Sequence, residues 1–230
     1  LYAGRDHADL VASLNSVGIS LEAKGDREGV ALKREALGMC RRLYAGADHP
    51  DTANLLNNVG DSLIKLGDHA GGKALLCEGL DMMRRLYAGV DHPDLALSLN
   101  NVGNSLGAVD PRAAVARQRE ALEMRKRLCA GVDCEDLAAS LNNLGYSLEA
   151  LGDRAEGLAL KRRALDMMSK LHAGKDHPDL GKTLFNVGVS LEAMGNRAEG
   201  VALKRLGWDM MRRLTLLQRC VHFGNRPEYR

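Results

Sequence analysis

The sequence predicts an all-α protein built as an αα-superhelix, a solenoid of five helix-turn-helix repeats closed by a C-terminal capping helix. A tetrapeptide of the LYAG type recurs at intervals of 42 or 43 residues. Such self-similarity is typical of proteins in which each repeat buries its apolar face against its neighbours. Apolar residues inside each repeat follow helical spacing. Aromatic residues make up only 3% of the chain, so Leu, Ala, Val and Met must fill the interior.

The tetrapeptide divides the chain into five repeats and a tail. It begins at Leu1, Leu43, Leu86, Leu128 and Leu171. We place the repeats at about 1–42, 43–85, 86–127, 128–170 and 171–213, with a C-terminal cap or tail at 214–230, and we expect a single array over 1–230. The tail residues Leu216, Leu217, Val221 and Phe223 would cover the last apolar face, although attachment to a further domain would produce the same pattern. The chain also starts within a repeat, as a fragment of a longer protein would.

The fourth repeat shows the first helix, helix A, most clearly. Five leucines with spacings of four and three residues form one stripe: Leu137, Leu141, Leu144, Leu148 and Leu151. This spacing predicts a helix over about 135–151. Gly152 and Asp153 then combine a helix stop with an N-cap. The second helix, helix B, carries paired methionines that we expect in the core.

Two further signals mark the end of helix B and the start of the next repeat. Basic residues crowd its last turn, as at Arg84 and Arg85. We favour a structural role for them over phosphate binding, because cations are stabilised near a helix C-terminus. A glycine cap and then Asp-His-Pro open the next helix A. The histidines of this motif are His7, His49, His92 and His177.

Small residues recur at three places in each repeat. Counted from the start of helix A, position eight is always glycine, position fifteen is often glycine, and position twenty-seven is alanine or glycine, as in Gly145, Gly152 and Ala164. This frame resembles the tetratricopeptide repeat (TPR). The repeat length and the pattern HPDLA…LNNLG…LGD…KREAL resemble the kinesin light chain subtype. The resemblance covers Leu1 to Arg213, although leucine replaces the aromatic residue at position eleven and the closing proline is absent.

Adjacent asparagines in the middle of helix A have two open interpretations. Asparagine is a poor helix former, so propensity does not explain the pairs. One asparagine of each pair could bridge neighbouring helices. Alternatively, the amides could bind a peptide main chain. The resemblance implies the second reading, because TPR domains bind peptides on the concave helix A surface. The candidate peptide-binding residues are Asn57, Asn58, Asn100, Asn101, Asn104, Asn142, Asn143, Tyr146 and Asn186.

Several other kinds of site are not expected. The net charge of +2 does not require a nucleic acid or a membrane as partner. Equivalent histidines on neighbouring repeats should lie about 10 Å apart, too far for a shared zinc ion, so we expect no metal site. The five cysteines are odd in number and suit a reducing compartment; Cys129 and Cys134 flank one loop but lack CxxC spacing. We find no catalytic motif and expect no cofactor.

The sequence therefore predicts a non-catalytic, cytoplasmic interaction scaffold that binds a protein or peptide ligand in its concave groove. Self-association through the terminal repeats is a further expectation. The alternative function is a regulatory or sensor array of a larger signalling protein, linked to an NTPase or protease domain. A third possibility is a helical-repeat RNA binder, which the nearly neutral groove argues against.

Overall fold

The computed structural model describes the backbone of residues 6–224 and the side chains of residues 6–215. All regular secondary structure in this part of the chain is α-helical, which confirms the predicted fold class. The helices are α1 (Ala8–Ala23), α2 (Glu28–Leu43), α3 (Pro50–Lys65), α4 (His69–Leu86), α5 (Pro93–Leu106), α6 (Pro111–Leu128), α7 (Glu135–Ala150), α8 (Arg154–Leu171), α9 (Pro178–Ala193) and α10 (Arg197–Gly224). The predicted cap side chains from Leu216 onward lie outside the described residues.

The chain divides into two compact units, residues 1–124 and 125–230, with the boundary inside α6. In the first unit α1 packs on α2 and α3 on α4, and contacts of α2 with α3, α4 with α5, and α3 with α5 join the hairpins. In the second unit α7 packs on α8 and α9 on α10, and α8 contacts α9. Each unit is therefore a series of αα-hairpins. The single array over 1–230 stays a prediction.

The turn from helix A to helix B forms where the glycine and its following cap residue predict it. Gly152 follows α7 with φ of +96°, in the left-handed region that glycine adopts without strain. Asp68 caps α4 by accepting a hydrogen bond from the amide of Gly71 at 2.9 Å. Asp153, in the equivalent position before α8, makes no such side-chain bond. The turn is thus encoded by the glycine more consistently than by the aspartate.

The recurring histidines are N-caps of the A helices. Nδ1 of His49 accepts a hydrogen bond from the amide of Asp51 at 3.2 Å, and Nδ1 of His92 does the same with Asp94 at 3.2 Å. Both residues have extended backbone conformation, as an N-cap requires. His7 and His177 make the same hydrogen bond, so all four recurring histidines cap A helices.

Arginines at the last positions of the repeats bind aspartates in the loop that precedes helix A of the same repeat. Nε and Nη2 of Arg85 donate to the two carboxylate oxygens of Asp48 at 2.7 and 2.8 Å, and Arg213 binds Asp176 in the same way. These hydrogen bonds lower the pKa of both aspartates. The structural interpretation of the basic clusters is therefore confirmed for these arginines, which have carboxylate partners.

Cys129 and Cys134 form a disulfide across the loop between α6 and α7. This pair runs against the expectation that the five cysteines suit a reducing compartment. Spacing rules for zinc or redox motifs did not anticipate the pair, because their approach depends on the shape of the inter-repeat loop. Two further cysteines are free, Cys40 in a buried position and Cys77 in an exposed one.

Small residues allow helices A and B to pack closely. A Cβ atom at Gly145 in α7 would lie 2.7 Å from the carbonyl oxygen of Gly157 in α8, which is shorter than any allowed contact. The methionine pairs fill the core as predicted, since Met83 and Met168 are 0% and 3% exposed.

No helix among the described residues is both long and apolar enough to cross a lipid bilayer.

Candidate functional site

The first asparagine of a pair is buried between helices in the first unit. Asn57 is 6% exposed and Asn100 is 4% exposed. Nδ2 of Asn57, in α3, donates to Oγ of Ser98, in α5, at 2.9 Å. Since α3 and α5 are the A helices of neighbouring repeats, this bond joins one repeat to the next. The geometry supports the bridging interpretation for Asn57 and leaves little of either side chain for a ligand.

The second asparagine of a pair contacts the preceding repeat. Nδ2 of Asn58 donates to Oδ1 of Asn15 at 3.1 Å. In the second unit, Nδ2 of Asn186 lies 3.4 Å from Oδ1 of Asn142. These side chains are only partly buried, and each bond uses one amide proton of the donor and one oxygen lone pair of the acceptor. The amides can therefore join the repeats and still offer donors and acceptors to a ligand.

The most exposed of the predicted residues are Asn101, the second asparagine of the α5 pair, and Asn104 and Tyr146, which lie further along their helices. Asn101 and Asn104 of α5 are exposed, and Asn143 of α7 is half-buried. Tyr146 is 68% exposed, with its ring centroid 5.6 Å from Nζ of Lys161. Tyr146 is thus an aromatic side chain largely open to solvent.

Each unit has a surface depression lined by predicted asparagines. In the first unit a depression of about 270 Å³ is lined by Asn57, Asn58, Asp61, Leu76, Asn101, Asn104 and Ser105. In the second unit a depression of about 210 Å³ is lined by residues that include Asn142, Asn143 and Asn186. The structure therefore brings seven predicted residues to these two surfaces, whereas Asn100 and Tyr146 line neither.

Sequence reasoning missed a second cluster of functional groups, at the N-terminus of α7. Glu135, His172 and His177 place carboxylate and imidazole atoms within 4.8 Å of one another. Only histidines in equivalent positions of neighbouring repeats were considered as shared metal ligands. His172 was left out because it occupies the position of Tyr44 and Tyr87 in earlier repeats. The signal was in the sequence as a His-x4-His spacing across one loop.

Two family models match the chain, both described as tetratricopeptide repeat, over residues 52–94 and 136–203. No curated protein sequence matches it significantly. Among solved structures it is similar to BtubC (BKLC) from P. vanneervenii, with 23% identity, a TM-score of 0.68, and coverage of 96% of this chain and 84% of that one.

A putative kinesin light chain with nearly identical TPR-like repeats from Podosopora anserina is similar at 16% identity and a TM-score of 0.68, covering 91% of this chain and 98% of that one. A Rap protein complexed with competence and sporulation factor is similar at 14% identity and a TM-score of 0.67. The alignment covers 86% of this chain and 52% of the Rap protein. At these identities the structural likenesses establish the fold. Together with the family models and the repeat pattern, they identify the chain as a protein of tetratricopeptide repeats whose fold is similar to that of kinesin light chain-like repeat proteins.

Proposed function

We propose that this chain is a non-catalytic interaction scaffold that binds a peptide segment of a partner protein along the surface of its A helices. The observation that carries the proposal is the pair of asparagine-lined depressions, one in each unit. Primary amides offer both donors and acceptors, so they complement an extended or helical peptide backbone. Tyr146 lies outside the depression of the second unit, about one turn beyond Asn142 on α7. It is an exposed aromatic side chain of the kind that anchors ligands.

The complex of a Rap protein with competence and sporulation factor shows that a related fold binds a separate ligand, and this supports the proposal. Cytoplasmic localisation and the absence of a nucleic-acid partner stay predictions. The alternative, a regulatory array within a larger signalling protein, would use the same surface and differs in what the array is attached to.

We expect Tyr146→Ala to weaken binding of a groove peptide by roughly thirtyfold, since a hot-spot aromatic contributes about 2 kcal/mol or more. Asn101→Ala should weaken it roughly fivefold, the effect of one hydrogen bond of about 1 kcal/mol. The peptide would be selected from a random display library against the whole chain and measured by fluorescence anisotropy. Both side chains are exposed, so the free energy of unfolding should change by no more than about 0.5 kcal/mol.

Arg34→Ala, at an exposed position of helix B in α2, is the matched control and should leave the affinity unchanged. Equal affinities for wild type and both groove variants would contradict the peptide-binding proposal. A tight RNA complex whose affinity falls steeply with salt would instead favour the RNA-binding function.

A second function, end-to-end association of chains, is favoured by the outer faces of α1 and α10. Val17 of α1 is 49% exposed, whereas the equivalent Val59 of α3 is 1% exposed. Trp208 of α10 is 63% exposed, whereas the equivalent Leu37 of α2 is 6% exposed. Val59 and Leu37 belong to one apolar core. The exposed residues are therefore the two halves of an interface that repeats form with each other.

The faces of α10 and α1 also carry a lysine and a serine at the positions where α2 and α3 form a hydrogen bond between repeats. Nζ of Lys33 in α2 donates to Oγ of Ser62 in α3 at 2.9 Å. Lys204 of α10 stands at the position of Lys33 and binds Glu192 at 2.6 Å, with a side chain that is 30% exposed. Ser20 of α1 stands at the position of Ser62 and is exposed. A second copy can thus place its Ser20 against Lys204.

Such a contact joins different faces of the two copies, so it would generate rings or open chains of several copies. We expect the mean mass in sedimentation velocity to rise with protein concentration, and Val17→Glu or Trp208→Glu to return the protein to monomer. Val90→Glu, at a loop residue that is 63% exposed, should not. A monomer at all concentrations, or no effect of Val17→Glu, would exclude this mode of association.

A further inference from the structure

The loop between α8 and α9 differs in chemistry from the loops that follow α2 and α4. Elsewhere Tyr44 stacks on His49, with ring centroids 3.4 Å apart, and Tyr87 stacks on His92 at 3.7 Å. Between α8 and α9 the stack consists of His172 and His177, at 3.7 Å. A phenol is replaced there by a second imidazole, which adds a potential metal ligand.

The helix that faces this loop also carries an exceptional residue. Helices α3, α5 and α9 each begin with proline, whereas α7 begins with Glu135. Oε1 of Glu135 lies 3.1 Å from Nε2 of His172. His172, which replaces the tyrosine of other repeats, and Glu135, which replaces their proline, are therefore neighbours in the structure. We propose that Glu135, His172 and His177, the imidazole cluster, form a binding site for a divalent transition metal of the zinc class.

The environment of His172 supports this assignment. Its side chain is 15% exposed, and its Nε2 is buried without a hydrogen-bond partner among the described residues. The nearby carboxylate oxygen of Glu135 does not satisfy Nε2, despite the short distance, because it lies off the direction required for a hydrogen bond. A buried polar atom without a partner costs about 1–3 kcal/mol, and a metal ion at Nε2 would remove this cost.

The donor set suits Zn²⁺. Two histidines and one glutamate are a known three-ligand set for zinc, with a fourth position left for water. Zinc–nitrogen bonds of about 2.0–2.1 Å imply that tetrahedral ligands lie about 3.3 Å apart. The three ligand atoms of the imidazole cluster lie within 4.8 Å of one another, so closure requires shifts of about 1.5 Å or less. The stacked rings must tilt apart so that one ion can lie in both ring planes, a rotation about the soft χ2 torsion.

Metal binding also requires the imidazole of His177 to change its tautomer. Its Nδ1 accepts a hydrogen bond from the amide of Asp179 at 3.3 Å, so the neutral ring carries its proton on Nε2. Metal binding at Nε2 moves that proton to Nδ1, so the hydrogen bond from the Asp179 amide that caps α9 is lost. The Asp179 carboxylate, which accepts from Lys182 at 2.9 Å, would then turn to accept from Nδ1–H, as carboxylates behind metal-bound histidines commonly do.

The test titrates Zn²⁺ into the whole oxidised chain by calorimetry and records the Co²⁺ visible spectrum of the same variants. Wild type should bind one equivalent and show the bands of a four- or five-coordinate nitrogen and oxygen site. His172→Tyr restores the residue of the other stacks, and Glu135→Pro restores the residue that begins other A helices. Each should weaken binding at least tenfold and retain wild-type helicity. Binding should also weaken as the pH falls, because protons compete for the imidazoles.

Two controls complete the test. His92→Gln removes a histidine with the same capping role from a loop without the cluster, and Cys77→Ser removes the exposed thiol. Neither should alter the affinity for Zn²⁺. The proposal is overturned if wild type binds no metal, if His172→Tyr binds as tightly as wild type, or if binding is lost with Cys77→Ser.

Discussion

Replacing Lys161 by leucine alone should lower the free energy of unfolding by about 3–5 kcal/mol, as expected when one partner of a buried ion pair is removed. The Lys161 side chain is 4% exposed. Its Nζ donates to Oε2 of Glu149 in α7 at 2.7 Å and to Oγ of Ser190 in α9 at 2.9 Å. The single substitution leaves Glu149, whose side chain is 20% exposed, with a charge that nothing compensates.

The first unit contains an apolar version of the same contact. Ile64 and Leu76 occupy the positions of Glu149 and Lys161, and they are 9% and 0% exposed. The packing is equivalent, because a Cβ at Gly72 would lie 2.6 Å from Ile64 Cγ1. A Cβ at the matching Gly157 would lie 2.7 Å from Glu149 Cγ.

The double variant Glu149→Ile with Lys161→Leu should therefore recover the stability of wild type or exceed it by about 1–4 kcal/mol. Urea unfolding followed by circular dichroism would measure wild type, both single variants and the double variant. A double variant as unstable as Lys161→Leu would show that the lysine stabilises this position through its hydrocarbon stem or through Ser190, and that the unpaired charge of Glu149 is not the cause.

Most of the fold could be predicted from the sequence because its signals are local. Helix A of the fourth repeat, placed at about 135–151, is α7 at Glu135–Ala150. Glycine after the helix and histidine before the next one depend only on backbone geometry within a few residues. Because the glycine and the histidine recur in most repeats, their positions could be distinguished from accidental occurrences of these residues.

The candidate site was harder to predict because it depends on several helices at once. A wheel drawn for α7 puts Ala138 about 100° from the centre of the leucine stripe and so outside it, yet Ala138 is 1% exposed, because a helix of a stacked repeat packs on more than one side. The burial of Asn57 and Asn100 has the same origin. Lysines such as Lys161 read as surface residues in a hydropathy pattern, whereas the glycine-mediated approach of the helices buries them.

At Gly207 of α10, the structure and the repeat consensus predict opposite effects of an alanine substitution. Three of the five repeats have alanine where α10 has Gly207, and Ala36, Ala121 and Ala164 are fully buried there. A consensus argument, supported by helix propensity of about 1 kcal/mol, predicts that Gly207→Ala stabilises the protein. The structure predicts the opposite, because a Cβ at Gly207 would lie 2.4 Å from the carbonyl oxygen of Gly181 and 3.0 Å from the amide nitrogen of Phe185.

These contacts involve backbone atoms of α9, which cannot turn away as a side chain could, so α9 and α10 must separate. We expect Gly207→Ala to lower the free energy of unfolding by about 1–3 kcal/mol, the usual cost of overpacking. Gly38→Ala in α2 is the matched control: the nearest atom to its Cβ would be the terminal guanidinium nitrogen of Arg42 at 3.7 Å. It should gain up to about 1 kcal/mol from helix propensity. If urea unfolding shows that both variants are stabilised, the close approach of α9 and α10 at Gly181 and Gly207 is wrong, and the consensus is the better guide to this crossing.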